Sequence, residues 1–270
     1  MSESTRGTIV DIVKERYGAI AEGKAFGTCC GGSQSETLAI GMGYDTADLA
    51  ILPDEANLGL GCGAPVAHLG LKPGETVVDL GSGAGIDAFL AARVVGPEGK
   101  VIGVDMTPAM LAKARANAAR SGFLQVEFRE GRLEALPIAD SSVDAVTSNC
   151  VINLVPDKAV VFREIARVLK PGGRLAISDI VLDAALPEAI ANDVYAYVGC
   201  ISGAILREDY LAMLKTAGFD RVEILKDIDY LAAAGDTLDD PVAGALSRNG
   251  LALSDIAGKV RSITFRAVKR

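Results

Sequence analysis

Five cysteines stand at Cys29, Cys30, Cys62, Cys150 and Cys200 of a 270-residue chain. A thiolate can act as a nucleophile, a redox group or a ligand for soft centres. Zinc is a poor candidate: no two of the cysteines form a CxxC knuckle, and the only histidine is His68. The ordinary fate of a lone cysteine is to be a small buried hydrophobe. The surroundings point elsewhere. "GTCCGG", "LGLGCGAP" and "VGCISGAI" set four of the thiols beside glycines, which reads as approachable loop positions. Cys150 stands in "SNCVINLVPDK", residues 148–158, at what reads as the end of a strand.

A second group of residues could hold a ligand. "DLGSGAGID" places Gly81, Gly83 and Gly85 between a strand and a helix, with Asp79 before them and Ser82 among them. Glycines there let a backbone turn sharply and approach a ligand closely. They also serve packing alone in many folds. Two features favour the ligand. The spacing is GxGxG rather than the dinucleotide GxGxxG, and Asp105 ends the next strand, where an acid would hold ribose hydroxyls.

These groups need a frame. The segment "KPGETVVDL" predicts a strand over Thr76–Leu80, and "IDAFLAARVVG" predicts a helix closed by Gly96. "GKVIGVDM" predicts the second strand. "TPAMLAKARANAARSG" predicts a helix capped by Thr107, with Pro108 in its first turn and Gly122 as its stop. Strands "VEFREG", "SVDAVTSNC" and "RLAISDIV" follow, the last two separated by helix "KAVVFREIARVLKPGG". Such alternation demands an α/β fold: a doubly wound, mainly parallel sheet with helices on both faces. "RVEILKDIDYL" and "VRSITFRAV" predict a closing strand pair around a 28-residue insert, Ala232–Lys259. Three parts are expected: an N-terminal helical and cysteine-loop segment (1–71), a ligand-binding core (72–183), and a capping segment with the last strands (184–270). Ile9, Ile12, Val13, Tyr17 and Ile20 recur at helical spacing and predict an amphipathic N-terminal helix.

Half the residues are hydrophobic, net charge is -8 and the pI is near 4.8, so no nucleic-acid partner is expected. No run approaches the roughly 18 apolar residues of a membrane span, and the N-terminus lacks a signal-peptide layout. A cytoplasmic location without a disulfide framework is expected. His68 reads as structural.

The glycine loop, Asp105 and the "GRLEALP" segment together resemble the class I S-adenosylmethionine-dependent methyltransferases, over residues 72 to about 230. By that resemblance Gly81, Ser82, Gly83 and Gly85, with Asp79, wrap the methionine part. Asp105 holds the ribose, and Met106 packs near the adenine, which Leu133 and Glu134 flank. Asn149 faces the methyl group. Arg132 stands where many relatives carry aspartate.

Longer strings carry a narrower resemblance. "NLGLGCGAP", "VIGVDMTPAML", "SNCVINLVPDK", "EIARVLKPGGRLAISDIV" and "GCISGA" resemble the arsenite methyltransferases. The resemblance implies Cys150 and Cys200 as ligands of trivalent arsenic, with Cys62 as their partner. Either Cys29 or Cys30 matches a further family cysteine. It implies arsenite and methylated arsenicals, as thiol conjugates, for substrates, and a thioredoxin- or glutathione-type reductant. The distal C-terminal cysteines of some members are missing. Arsenic is soft, and thiolate ligands leave it a lone pair that can attack the methyl carbon. Protein thiols can then return two electrons by forming a disulfide, which an external dithiol resets. Two rivals stand beside this reading. A non-catalytic metalloid-binding protein has no use for the glycine loop and Asp105. A relative methylating a small organic substrate has no need of four thiol loops.

Overall fold

The computed structural model describes residues 3–24, 35–53, 55–234 and 240–270; Cys29 and Cys30 lie outside the described residues. The N-terminal part holds α1 (Glu3–Ala21), α2 (Ser35–Met42) and the one-turn α3 (Thr46–Leu49). There follow β1 (Thr76–Leu80), α4 (Ile86–Val95), β2 (Lys100–Asp105), α5 (Pro108–Ser121), β3 (Val126–Glu130), β4 (Val143–Asn149), α6 (Lys158–Val168) and β5 (Leu169–Leu182). Short α7 (Glu188–Ala191) and α8 (Val194–Val198) precede α9 (Arg207–Thr216) and β6 (Phe219–Asp229). Then α10 (Tyr230–Ala234) and α11 (Asp240–Arg248) lead to β7 (Val260–Lys269).

The strands form one seven-stranded sheet in the order β3-β2-β1-β4-β5-β7-β6. β1 to β5 run parallel, and β7 lies antiparallel between β5 and β6. Both faces are covered, which is why the central strands read as apolar runs rather than alternations. Val78 and Leu80 of β1 pack with α6 and α9, while Val77 packs with α4. A third apolar cluster sits over the carboxyl ends of the strands. It joins Ile9 and Val13 of α1 to Cys62, Cys150 and Cys200.

Some expectations differ in detail. Pro108 opens α5 and Gly122, at φ 71°, stops it, but Thr107 makes no side-chain capping bond. Its hydroxyl turns back to Asp105 instead. β5 begins directly where α6 ends, since Leu169 already pairs with Val143. The insert between β6 and β7 is not all loop: α11 buries Val242, Ala245 and Leu246.

Three rings bind the second layer to the sheet. Phe162 of α6 meets Tyr210 of α9 edge-on at 5.2 Å, and Tyr210 meets Phe265 of β7 at 5.8 Å. Phe265 is fully buried. Phe265→Ala is therefore expected to destabilise the chain by about 3–5 kcal/mol, read from the shift of the urea unfolding midpoint.

Candidate active site

The sheet has one topological switch point. β1 has β2 on one side and β4 on the other, so the chain leaves β1 and β4 in opposite directions and opens a crevice above them. Leu80 lies in register with Ser148, which brings the Gly81 loop beside the Cys150 turn. The contact is tight. A Cβ on Gly81 (φ 65°) would come within 2.7 Å of the Val151 Cβ, so only glycine fits. A Cβ on Gly83 would meet nothing nearer than Met110, at 3.9 Å, so this backbone faces open space.

That space is an open cleft. Its lining includes Asp79, Gly81, Ser82, Gly83, Asp105, Met106, Leu133, Glu134, Asn149 and Cys150, with Val13 and Tyr17 of α1. Gly85 does not line it. As the left-handed residue that starts α4, Gly85 instead gives the room that Phe89 and Phe128 fill.

The cleft is built for a cation with polar attachments. Asp79 is buried, and its Oδ2 has no hydrogen-bond partner; the same holds for Ser82 Oγ. Burial pushes the Asp79 carboxyl well up, and the charges of Asp87 and Asp105 push it further. Burial likewise raises Asp87 to about 6, against the pull of its bonds from Asn149 and Tyr44. Asp105 is raised by burial too, although it accepts Thr107 N–H at 2.8 Å and Gly83 N–H at 3.0 Å. Three clustered acids and two orphaned oxygens suit an ammonium or sulfonium and its hydroxyl-bearing sugar. Glu134 is held by Arg132 at 2.7 Å.

Cys150 lines the cleft, whereas Cys62 and Cys200 do not; all three belong to one apolar cluster and are buried, at 2 % (Cys62), 4 % (Cys150) and 1 % (Cys200) exposure. The Cys62 and Cys200 turns are thus not the approachable ones that their glycines suggested. Gly61 and Gly63 flank Cys62 because neighbours press on the backbone. A Cβ at 61 would lie 2.8 Å from Asn149 Nδ2, and one at 63 would lie 2.6 Å from the Ser178 Cβ. Cys150 and Cys200 adopt left-handed backbone, at φ 57° and 63°. Cys150 N–H donates to Ser178 O at 2.8 Å, and Cys200 Sγ donates to Cys150 O at 3.2 Å. Non-glycine residues seldom hold such φ values unless their surroundings enforce them, and such residues cluster at functional sites.

Sequence reasoning missed further buried groups that back these residues. Tyr44 and Asp87 pack against Asn149 on the cleft side. Beneath the thiol turns, Lys158 Nζ donates to Val155 O at 3.1 Å, and burial lowers it to about 8. Nearby, Tyr210 OH donates to Asp179 Oδ2 at 2.8 Å, and burial raises Asp179 to about 7. A charge inside an otherwise apolar strand, as in "ISDIV", was the available signal.

The architecture and the cleft are those of a class I methyltransferase, and the comparisons agree. A methyltransferase-domain family model matches residues 71–218. The arsenite methyltransferase of Halobacterium salinarum is 49% identical over 226 residues, 79% of this chain and 58% of that protein. The human arsenite methyltransferase is 38% identical over 145 residues, 50% of this chain and 39% of that protein. A crystal structure of an arsenic (III) S-adenosylmethionine methyltransferase from Chlamydomonas reinhardtii superposes with a TM-score of 0.67. It is 35% identical and spans 82% of this chain and 71% of its own. The chain belongs to the arsenite methyltransferase family. It spans less than two thirds of the curated relatives' length, 58% of the Halobacterium protein.

The acids give the cleft a pH signature. A cationic ligand favours the ionised carboxylates, so its binding releases protons. Affinity for S-adenosylmethionine is therefore expected to rise as pH climbs through about 6, where Asp87 ionises, and to fall below it. Calorimetric titrations in two buffers of different ionisation enthalpy would read both the trend and the released protons.

Proposed function

We propose that this chain methylates trivalent arsenic held on its cysteine thiolates, using S-adenosylmethionine bound in the cleft. The observation that carries the reading is the place of Cys150: it lines the cleft next to the glycine loop and carries Cys200 Sγ on its own carbonyl. When bound, S-adenosylmethionine supplies an electrophilic methyl group on a cationic sulfur.

The chain's residues do the rest. Asp79, Ser82 and the Gly83 backbone receive the polar methionine end, and Asp105 the ribose. Met106 and Leu133 offer apolar surface to the base, and α1 closes the cleft against water with Val13 and Tyr17. Cys150 and Cys200 hold arsenic as a soft thiolate complex, with its lone pair left for the methyl carbon. Methyl transfer takes arsenic formally to the pentavalent state. Two protein thiolates return the two electrons and become a disulfide, with Cys62 the partner at hand. Among the described residues no group of three or more Cys, His, Asp or Glu is spaced to hold a metal ion. On this reading arsenic itself completes the three-sulfur site.

Arsenite and its methylated products would arrive as thiol conjugates, by exchange with the protein thiols. A thioredoxin- or glutathione-type thiol reductant would reset the disulfide, which suits a reducing cytoplasm. No described helix is long and apolar enough to cross a membrane. The direct test is speciation of arsenic after incubation with arsenite, S-adenosylmethionine and a thiol.

The thiols divide the work unequally on this reading. Arsenite offers three places for sulfur, a monomethyl arsenical only two. Cys150→Ser and Cys200→Ser are each expected to abolish methylation of both, because a hydroxyl is too hard to replace a thiolate. Cys62→Ser is expected to lose arsenite methylation while keeping part of the activity on the monomethyl species. Equal loss of both in Cys62→Ser, with circular dichroism unchanged, would make Cys62 obligatory in every round. Parent-rate turnover of arsenite by either of the other two variants would sink the ligand assignment.

A further inference from the structure

The Cys62 turn is gripped from the cleft side by one amide. Asn149, the last residue of β4, accepts the Cys62 N–H on Oδ1 at 2.9 Å. Its Nδ2 donates to Gly63 O at 2.7 Å, so the side chain holds the backbone on both flanks of the thiol. The same Nδ2 faces Tyr44 OH at 2.7 Å and Asp87 Oδ2 at 3.0 Å. Tyr44 in turn shares its hydroxyl hydrogen between the two Asp87 oxygens, each at 3.0 Å.

The geometry leaves the amide one orientation. Three acceptors surround Nδ2, so a flip would turn Oδ1 against a carboxylate, a hydroxyl oxygen and a carbonyl, and leave the Cys62 N–H facing an NH₂. Translation is blocked as well, since the Gly61 backbone lies so close that even a methyl group there would strike the amide. Asn149 therefore cannot move without moving the Cys62 turn. Cys150 is the next residue in the chain, so the same amide fixes the spacing of two thiols.

We propose that Tyr44 and Asp87 are positioning residues that lock the Asn149 amide and, through it, set where Cys62 stands relative to Cys150 and the cleft. Neither touches arsenic; both act through Asn149. The proposal rests on the reading of Cys62 as an arsenic-facing thiol. Its physical content is independent of arsenic. Tyr44 reaches Asn149 from the N-terminal part, 105 residues away in sequence, so the placement of Cys62 depends on how that part docks on the core.

The test is Tyr44→Phe, which keeps the ring and removes the hydroxyl. The first readout uses the chain without arsenic: the rate at which N-ethylmaleimide labels each cysteine, followed by mass spectrometry. Cys62 labelling is expected to accelerate by about tenfold, the factor carried by one hydrogen bond of ordinary net strength, with Cys200 unchanged. The second readout is kinetic. kcat/KM for arsenite, measured at saturating S-adenosylmethionine, is expected to fall by about tenfold. Added to Cys62→Ser, Tyr44→Phe should bring no further loss on the monomethyl substrate, because its effect runs through Cys62. Unchanged Cys62 labelling, equal acceleration at Cys200, or a multiplied loss in the double variant would each overturn the proposal. Should Tyr44→Phe fail to fold, Asp87→Asn carries the same labelling test. A parent chain that shows the labelling shift upon substitution but never methylates arsenite would refute the arsenic reading and leave the positioning role standing.

Discussion

Everything above the sheet depends on how closely β1 and β4 deliver their two loops. The Gly81 backbone and the Val151 side chain touch at a distance that no Cβ on residue 81 could share. This contact puts a ligand-binding loop and a thiol turn on one crevice floor. Parallel strands force the arrangement: the chain must leave both strand ends on the same edge of the sheet and wind away to opposite sides. Proximity between the two loops is then a property of strand register rather than of any flexible arm.

A second constraint lies under the thiols. Lys158, Asp179 and Tyr210 are all buried there, where ions are costly unless they answer one another. Tyr210 satisfies Asp179 directly, and the charge of Asp179 partly offsets the burial penalty on Lys158. The backbone carbonyls of Asn153 and Val155 take the ammonium hydrogens, which ties down the turn that follows Cys150. The same tyrosine is a ring in the aromatic chain from α6 to β7. Core packing and the rigidity of the thiol turn thus share a residue.

The alternating layers were legible because they rest on local patterning: apolar runs, a proline at a helix start, a glycine at its stop. The glycine loop and Asp105 were legible for the same reason, being fixed by their position between one strand and the next helix. What escaped notice depends on neighbours distant in sequence. The glycines around Cys62 read locally as freedom, yet Asn149 and Ser178 make them a demand for close contact. Tyr44 meets Asp87 across 43 residues, and no periodicity announces such a pair. Thr107 has the chemistry of a cap, but the buried acid two residues earlier outcompetes the helix for its hydroxyl. Gly85 belongs to the fingerprint and to the packing at once, and here two phenylalanine rings claim it.

The left-handed backbone at Cys150 and Cys200 bears on how such a site persists. At φ near 60°, glycine and asparagine sit comfortably, while a cysteine carries a steric penalty from its Cβ. The fold alone would settle for a smaller residue at both turns. Replacing either cysteine by glycine or asparagine would therefore relieve backbone strain while removing a thiol. On the proposed reading, the two thiols thus occupy turns where the scaffold's own conformational preference is for another residue.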